Sequence, residues 1–208
     1  MPALQGTLLD AGAREGPRSL RELAVRAHLG RGAWVDLARG WLAGSLSLFD
    51  RLSAGVAWHS ERRAMYDRVV DVPRLLHFCS DGDELPDPVL EVCRGVLNSW
   101  YPTADGAPFT TVGLALYRHG GDGVAWHGDT IGRGRREDTL VAILSLGESR
   151  RLLMRPRGGG RSLRYDLHSG DLLVMGGSCQ RTWEHSIPKT SRPVGPRISV
   201  QFRPSGVR

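Results

Sequence analysis

Cysteine is scarce in this 208-residue chain. Cys79, Cys93 and Cys179 are widely spaced, odd in number and form no CxxC pair. Such a set excludes a disulfide framework and a zinc knuckle, and it favours a reducing compartment. Long apolar runs are lacking too. None approaches the ~20 residues of a membrane span. The opening MPALQGTLLDAGAREG has no charged segment followed by an apolar one, as a secretory leader would. A cytoplasmic protein with no membrane association is the expectation. Lysine is nearly absent: among 28 basic residues Lys189 is the one lysine and the rest are arginine. The net charge of +6 suits a nucleic-acid partner. An arginine-only skew also follows from genomic base composition, so charge alone does not decide the partner.

What is present suits one sizeable domain. Hydrophobic residues make up 40 % and charged residues 24 %. A chain of this length buries roughly 70 % of its unfolded surface, so its core needs no covalent staples. Residues 1–32 form an arm rich in Gly, Arg and Ala. Within it PRSLRELAVRAHLG carries Leu20, Leu23, Ala24 and Ala27 at helical spacing, with Gly30 as a stop; this predicts a short helix or a loose arm. Residues 33–208 read as one domain, with a mainly helical part over 33–107 and a β core over 108–204. Residues 33–42 alternate weakly, as a strand does. A helix is predicted from Ser45, a cap candidate, to at least Leu52, and a short strand over 72–78. Residues 87–101 predict an amphipathic helix with Val89, Leu90, Cys93, Val96 and Leu97 on one face.

After residue 108 the texture changes. FTTVGLALYR, GVAWHGD, TLVAILSLG, RRLLMRP, SLRYDL, DLLVMGG, RTWEHSIP and RISVQFRP follow one another, separated by Gly, Asp, Ser or Pro clusters. Seven or eight short strands at this spacing predict an all-β sandwich or barrel. The fold class is therefore α+β: a jelly-roll double sheet with supporting N-terminal helices on one side.

Residues i and i+2 of a strand point to the same side. If GVAWHGD is a strand, His127 and Asp129 face together with Gly128 between them. His185, in a later strand-like segment, would complete a 2-His-1-carboxylate face. That face leaves three octahedral positions open and is diagnostic of non-haem Fe(II) oxygenases. An HxD alone arises readily by chance in a chain with seven histidines. RISVQFR adds weight. It places Arg197, Ser199, Gln201 and Arg203 on one face and Ile198, Val200 and Phe202 on the other. A cationic face inside a closed sheet is costly unless an anion meets it, and guanidinium grips carboxylate with a bidentate fork. The alternative is an exposed edge strand with solvated arginines.

LALYRHGGDGVAWHGDT, LVAILSLG, GDLLVMGGSCQRTWEHSIPK and GPRISVQFR, in that order, resemble the AlkB family of Fe(II)/2-oxoglutarate-dependent dioxygenases. The strong likeness covers residues 111–203, and a looser one reaches back to about residue 34. The resemblance implies a double-stranded β-helix (jelly-roll) core. It also implies Fe(II) held by His127, Asp129 and His185, with 2-oxoglutarate as co-substrate and O2 as oxidant. Arg197 matches the arginine that pairs with the far carboxylate of 2-oxoglutarate. Arg203 matches the second family arginine, near the metal-bound end. Tyr117 matches a tyrosine that hydrogen-bonds the co-substrate, and Ser199 stands at a further co-substrate position. Trp58, Tyr66 and Phe78 fall where the family has a lid and aromatics over the substrate base.

The resemblance implies oxidative demethylation of N-alkylated bases in DNA or RNA, as in alkylation damage repair. Because a duplex hides the methyl group, the base must be single-stranded or flipped out. The basic loops 132–138 and 155–161 are candidates for phosphate contacts. Departures from the family pattern are Ala115 and Ser199 where asparagines are common, Thr130 and Ile131 where base-repair members keep acids, and Cys79 where an aromatic follows Phe78. A second reading keeps the oxygenase chemistry and changes the substrate to a protein side chain or small molecule. A third is a non-catalytic β-sandwich that binds nucleic acid through its arginines. A monomer is the default expectation.

Overall fold

The computed structural model describes residues 15–65, 68–101, 107–129 and 137–207, with the backbone alone over 62–71. The elements run β1 (Gly16–Pro17), α1 (Leu20–Leu23), β2 (Ala24–Gly30), β3 (Ala33–Ala38), β4 (Leu42–Ala43), α2 (Ser45–Gly55), β5 (His59–Met65), β6 (Arg68–Cys79) and α3 (Pro88–Trp100). They continue β7 (Thr111–Tyr117), β8 (Val124–His127), β9 (Val141–Gly147), β10 (Arg150–Pro156), β11 (Leu163–Leu167), β12 (Leu172–Gly177), α4 (Cys179–Thr182), β13 (Trp183–Ile187) and β14 (Arg197–Arg203). Eight strands form the large sheet in the order β2-β3-β12-β9-β14-β7-β6-β5. Four form the small sheet, β11-β10-β13-β8, and β1 and β4 pair separately.

The period-2 pattern of the strands assigns each side chain a layer. Ile198, Val200 and Phe202 of β14 join Leu114, Leu116, Leu144 and Leu146 in a core shared with Leu48 and Leu52 of α2 and Leu90 and Leu97 of α3. Ala115, Tyr117, Val141, Ile143, Leu173 and Met175 look the other way and meet Leu152, Met154, Leu167 and Ile187 of the small sheet. The large sheet thus has helices on one face and the small sheet on the other, the jelly-roll arrangement expected. Each fully buried Leu, Ile or Phe contributes about 1.5–3 kcal/mol.

The helices end where local chemistry dictates. Asp87 caps α3 by accepting from the Val89 N–H at 3.0 Å, and Pro88 takes the first helical position. At α2 the cap is Gly44 in the left-handed region, not Ser45. The Ser45 hydroxyl accepts a hydrogen bond from Ser169 instead. Phe49 of α2 lies over Gly147, where φ is +81° and a Cβ would come within 2.7 Å of the ring; glycine is required there.

The arm differs from expectation. Among its described residues only Leu20–Leu23 is helical, and Ala24–Gly30 is a strand paired with β3. Arg26 decides the competition. Its guanidinium forks onto Asp36 of β3 at 2.7 and 2.8 Å and covers the Trp34 ring at 3.6 Å. Gly30 is a hairpin residue and not a helix stop: Gly30, Arg31 and Gly32 all have positive φ.

Candidate metal and co-substrate site

In the small sheet β13 pairs antiparallel with β8, and His185 stands directly opposite His127. The imidazoles are therefore neighbours, with ring centroids 4.2 Å apart. β8 ends at His127, so strand periodicity does not aim Asp129 as the HxD spacing predicts. Two tertiary bonds aim it instead. The Asp129 N–H donates to Gln180 Oε1 at 3.0 Å, and Oδ2 accepts from Arg203 Nε at 3.1 Å. Gly128 lets the chain through this turn, because a Cβ there would lie 2.9 Å from both the Gln180 carbonyl and Arg157. Asp129 Oδ1 then lies 3.9 Å from His127 Nε2. One ligating atom from each of His127, Asp129 and His185 falls within 4.8 Å of the other two.

The protonation states suit a divalent cation. His127 Nδ1 is 2.9 Å from the Ala125 carbonyl, which only accepts, so Nδ1 carries the proton and Nε2 is left as the ligand. Burial pushes His185 down to about 3, with the neighbouring His127 adding to the effect, so it is neutral. Burial alone would raise the Asp129 carboxyl. Arg203 and the two histidines outweigh it and hold the group at about 2. His185 and Asp129 are thus ready to bind without losing a proton near neutrality. Two imidazoles and one carboxylate are the donor set that Fe(II) takes.

β14 lies between β9 and β7 and is no edge strand. The alternative of solvated arginines is thereby excluded. Arg197 is fully buried. Its Nε donates to Ser145 Oγ at 2.9 Å, while Nη1 and Nη2 have no hydrogen-bond partner among the described residues. Tyr117 flanks it, with the ring centroid 5.4 Å from Cζ. Burial lowers the guanidinium to about 10, so it stays cationic at neutral pH. A buried cation with two unused donors fits a carboxylate. Arg197, Tyr117, Ser199 and Arg203 line one cavity together with His127 and His185. Leu76, Ile143 and Leu152 form its apolar wall, matching the methylenes of a short dicarboxylate.

The substrate candidates are distributed differently. Phe78 is 38 % exposed and paired in register with Gly113, two residues along β6 from Leu76 of the cavity wall. Trp58 is not brought to the cavity. It packs on the helix-side core, and its indole N–H donates to the Ser53 carbonyl at 3.2 Å. Tyr66, Thr130, Ile131 and residues 132–136 of the basic loop lie outside the described residues. In the 155–161 hairpin, Gly158, Gly159 and Gly160 all have positive φ, and Arg157 is committed to the Gln180 and Arg181 carbonyls. Trp126 lies under Arg155, 4.1 Å away, and Trp183 belongs to the core between the sheets.

Three supporting residues escaped the sequence reading. Gln180 and Ser145 each bond to one site residue. Buried Arg150 ties the carbonyls of His119, Asp122 and Pro188 together beside Tyr117. It thereby fixes the loops that lead into β8 and out of β13. Their signal was weak, since isolated polar residues in apolar segments point to no partner.

Residues 49–203 match the 2OG-Fe(II) oxygenase superfamily. Alpha-ketoglutarate-dependent dioxygenase alkB homolog 3 of Bos taurus is 28 % identical over 179 residues, covering 76 % of this chain and 60 % of the relative. DNA oxidative demethylase ALKBH2 of Arabidopsis thaliana is 30 % identical over 134 residues, covering 53 % of this chain and 42 % of the relative. The chain spans about 60 % of the length of the bovine and human homolog 3 proteins it matches. The solved structure of OsALKBH1 superposes with a TM-score of 0.59 at 16 % identity, over 86 % of this chain and all of that one, which shows the shared fold. With its His-Asp-His group and its arginine-bearing strand in the matched region, the chain belongs to the 2OG-Fe(II) oxygenase superfamily and, within it, to the AlkB family.

Proposed function

We propose that this protein is an Fe(II)/2-oxoglutarate-dependent dioxygenase that oxidatively demethylates N-alkylated bases in single-stranded or flipped-out DNA or RNA. The observation that carries the reading is buried Arg197, with two donors that have no partner among the described residues, in one cavity with His127 and His185 of the His127, Asp129 and His185 group. When bound, iron with 2-oxoglutarate and O2 supplies the oxidising power, and the keto acid leaves as succinate and CO2. The protein holds and shields the reactants. His127, Asp129 and His185 would hold the metal. Arg197, with Tyr117 beside it, would grip the far carboxylate of the co-substrate. Arg203 orients Asp129 and offsets its charge. Leu76, Ile143 and Leu152 keep water from the cavity. Hydroxylation of an N-methyl group gives a hemiaminal that expels formaldehyde and restores the base.

The nucleobase substrate is supported by the name of the DNA oxidative demethylase ALKBH2 relative and by the net charge of +6. No helix among the described residues is long and apolar enough to cross a membrane, and a soluble monomer suffices for this chemistry. Thr130 and Ile131, in place of acids, favour a second reading in which the same chemistry acts on a protein side chain or small molecule. The deciding experiment incubates iron-loaded protein with single-stranded oligonucleotides bearing 1-methyladenine or 3-methylcytosine and measures succinate and formaldehyde together. Both products are expected. Succinate without base repair would transfer support to the second reading, and neither product would sink the oxygenase.

A further inference from the structure

Along the cleft face of β14 the side chains stand in register with β7: Arg197 with Tyr117, Ser199 with Ala115, Gln201 with Gly113, and Arg203 with Thr111. Arg197 marks the far end of the co-substrate. The Cα of Gln201 is about 13 Å further along, four residues at about 3.3 Å each. A five-carbon dicarboxylate anchored on Arg197 is too short to need it. Gln201 nevertheless lines the same cavity as the two histidine ligands.

Its carboxamide is fixed. Nε2 donates to Ser199 Oγ at 3.0 Å, which turns Oε1 toward Gly113. A Cβ at Gly113 would lie 3.2 Å from Gln201 Oε1, 2.9 Å from Arg203 Nη1 and 3.9 Å from the Phe78 ring. An acceptor and a donor thus stand together over a position without a side chain, beside an aromatic edge. Neither Gln201 Oε1 nor Arg203 Nη1 makes a hydrogen bond among the described residues. The ends of Gln201 and Arg203 take the space that a side chain at Gly113 would fill, which sets one acceptor, one donor and the Phe78 ring side by side, a set that suits a planar heterocycle. Half-buried polar groups of this kind would be covered by a bound base and would discriminate against a partner that cannot pair with them.

We propose that Gln201 is a specificity-determining residue of this site: over Gly113 and beside Phe78, its Oε1 accepts a hydrogen bond from the amino group next to the alkylated ring nitrogen of the substrate base. This rests on the nucleobase reading above and adds which edge of the base is read. 3-Methylcytosine carries that amino group, with a carbonyl on the other side of the methylated nitrogen for Arg203. 3-Methylthymine presents a carbonyl in place of the amino group and sets acceptor against acceptor.

The test compares wild type, Gln201→Met and Gln201→Glu on single-stranded oligonucleotides with one 3-methylcytosine or one 3-methylthymine. Anaerobic binding by fluorescence anisotropy and formaldehyde release in air are both measured. Wild type is expected to prefer 3-methylcytosine. Gln201→Met should cut the ratio of the two bases by about tenfold in both assays, the worth of one well-placed hydrogen bond. Gln201→Glu, which keeps the acceptor, should retain or increase the ratio. A ratio in Gln201→Met within twofold of wild type would overturn the proposal. So would a raised 2-oxoglutarate requirement with an unchanged ratio, since that assigns Gln201 to the co-substrate. If wild type releases formaldehyde in either case, the demethylase reading survives that failure; if it releases none from any base, both fall.

Discussion

Arg203 donates from Nε to Asp129 Oδ2 at 3.1 Å, so an arginine of the co-substrate strand also steers a metal ligand. The bond joins β14 of the large sheet to the turn after β8 of the small one. Both partners are largely buried, with side chains 12 % and 3 % exposed, so the pairing is little screened by solvent.

Replacing Arg203 by Met should therefore weaken metal binding as well as turnover. Partners that orient a ligand typically contribute 10–100-fold to affinity, and about tenfold is expected here. Anaerobic Co(II) titration, followed by the visible absorption of the bound ion, reads this directly. An unchanged affinity would separate Arg203 from the metal.

Gln180→Leu removes the acceptor of the Asp129 N–H without touching a ligand. A buried donor left unpaired costs about 1–3 kcal/mol. Metal affinity should fall by roughly tenfold, while 2-oxoglutarate binding to the remaining metal-loaded protein stays near wild type. Calorimetric titration of each ligand distinguishes the two effects.

Arg197→Met should have opposite effects with and without co-substrate. Replacing an uncompensated buried charge by an apolar residue of similar volume is neutral or stabilises by about 1–4 kcal/mol, so the metal-free variant should melt no lower than wild type. Saturating 2-oxoglutarate with metal should raise the Tm of wild type by mass action and leave the variant unmoved. A variant that melts well below wild type in the absence of ligand would contradict the unpartnered state of Nη1 and Nη2.

The metal-free protein should lose stability in acid through His185. Burial holds its folded value at about 3, well below the ordinary 6.5. The unfolded chain takes up the proton first, so the stabilising contribution is complete above about pH 6.5 and is lost progressively as pH falls toward 3. Asp129, depressed to about 2, adds its own loss only below the ordinary carboxylate value of 3.8. Urea midpoints between pH 7 and 4 should fall, and His185→Gln should flatten the decline.

Much of the site was legible in the chain itself. Residues 197–203 alternate so strictly that the apolar back and polar front of β14 followed from period 2 alone. The face shared by Val89, Leu90, Cys93, Val96 and Leu97 likewise announced α3. The arm misled because Leu20, Leu23, Ala24 and Ala27 satisfy helical spacing, whereas the bonds that make residues 24–30 a strand are to Asp36, ten residues from Arg26. Trp58 misled because an aromatic near a lid says nothing about which core it enters; Ser53 and the α2 side claim it.

By itself the sequence determined the donor types, the alternation that sends Arg197 and Arg203 into the cleft, and the run of short strands that must close into a double sheet. These are local properties, set by side-chain chemistry and strand period. Tertiary structure alone decided that His185 stands opposite His127, that Gln180 and Arg203 aim Asp129 after its strand has ended, and that Gln201 lies over a glycine beside Phe78. Those relationships depend on sheet register and on contacts between residues 35 to 88 positions apart, which no local pattern encodes.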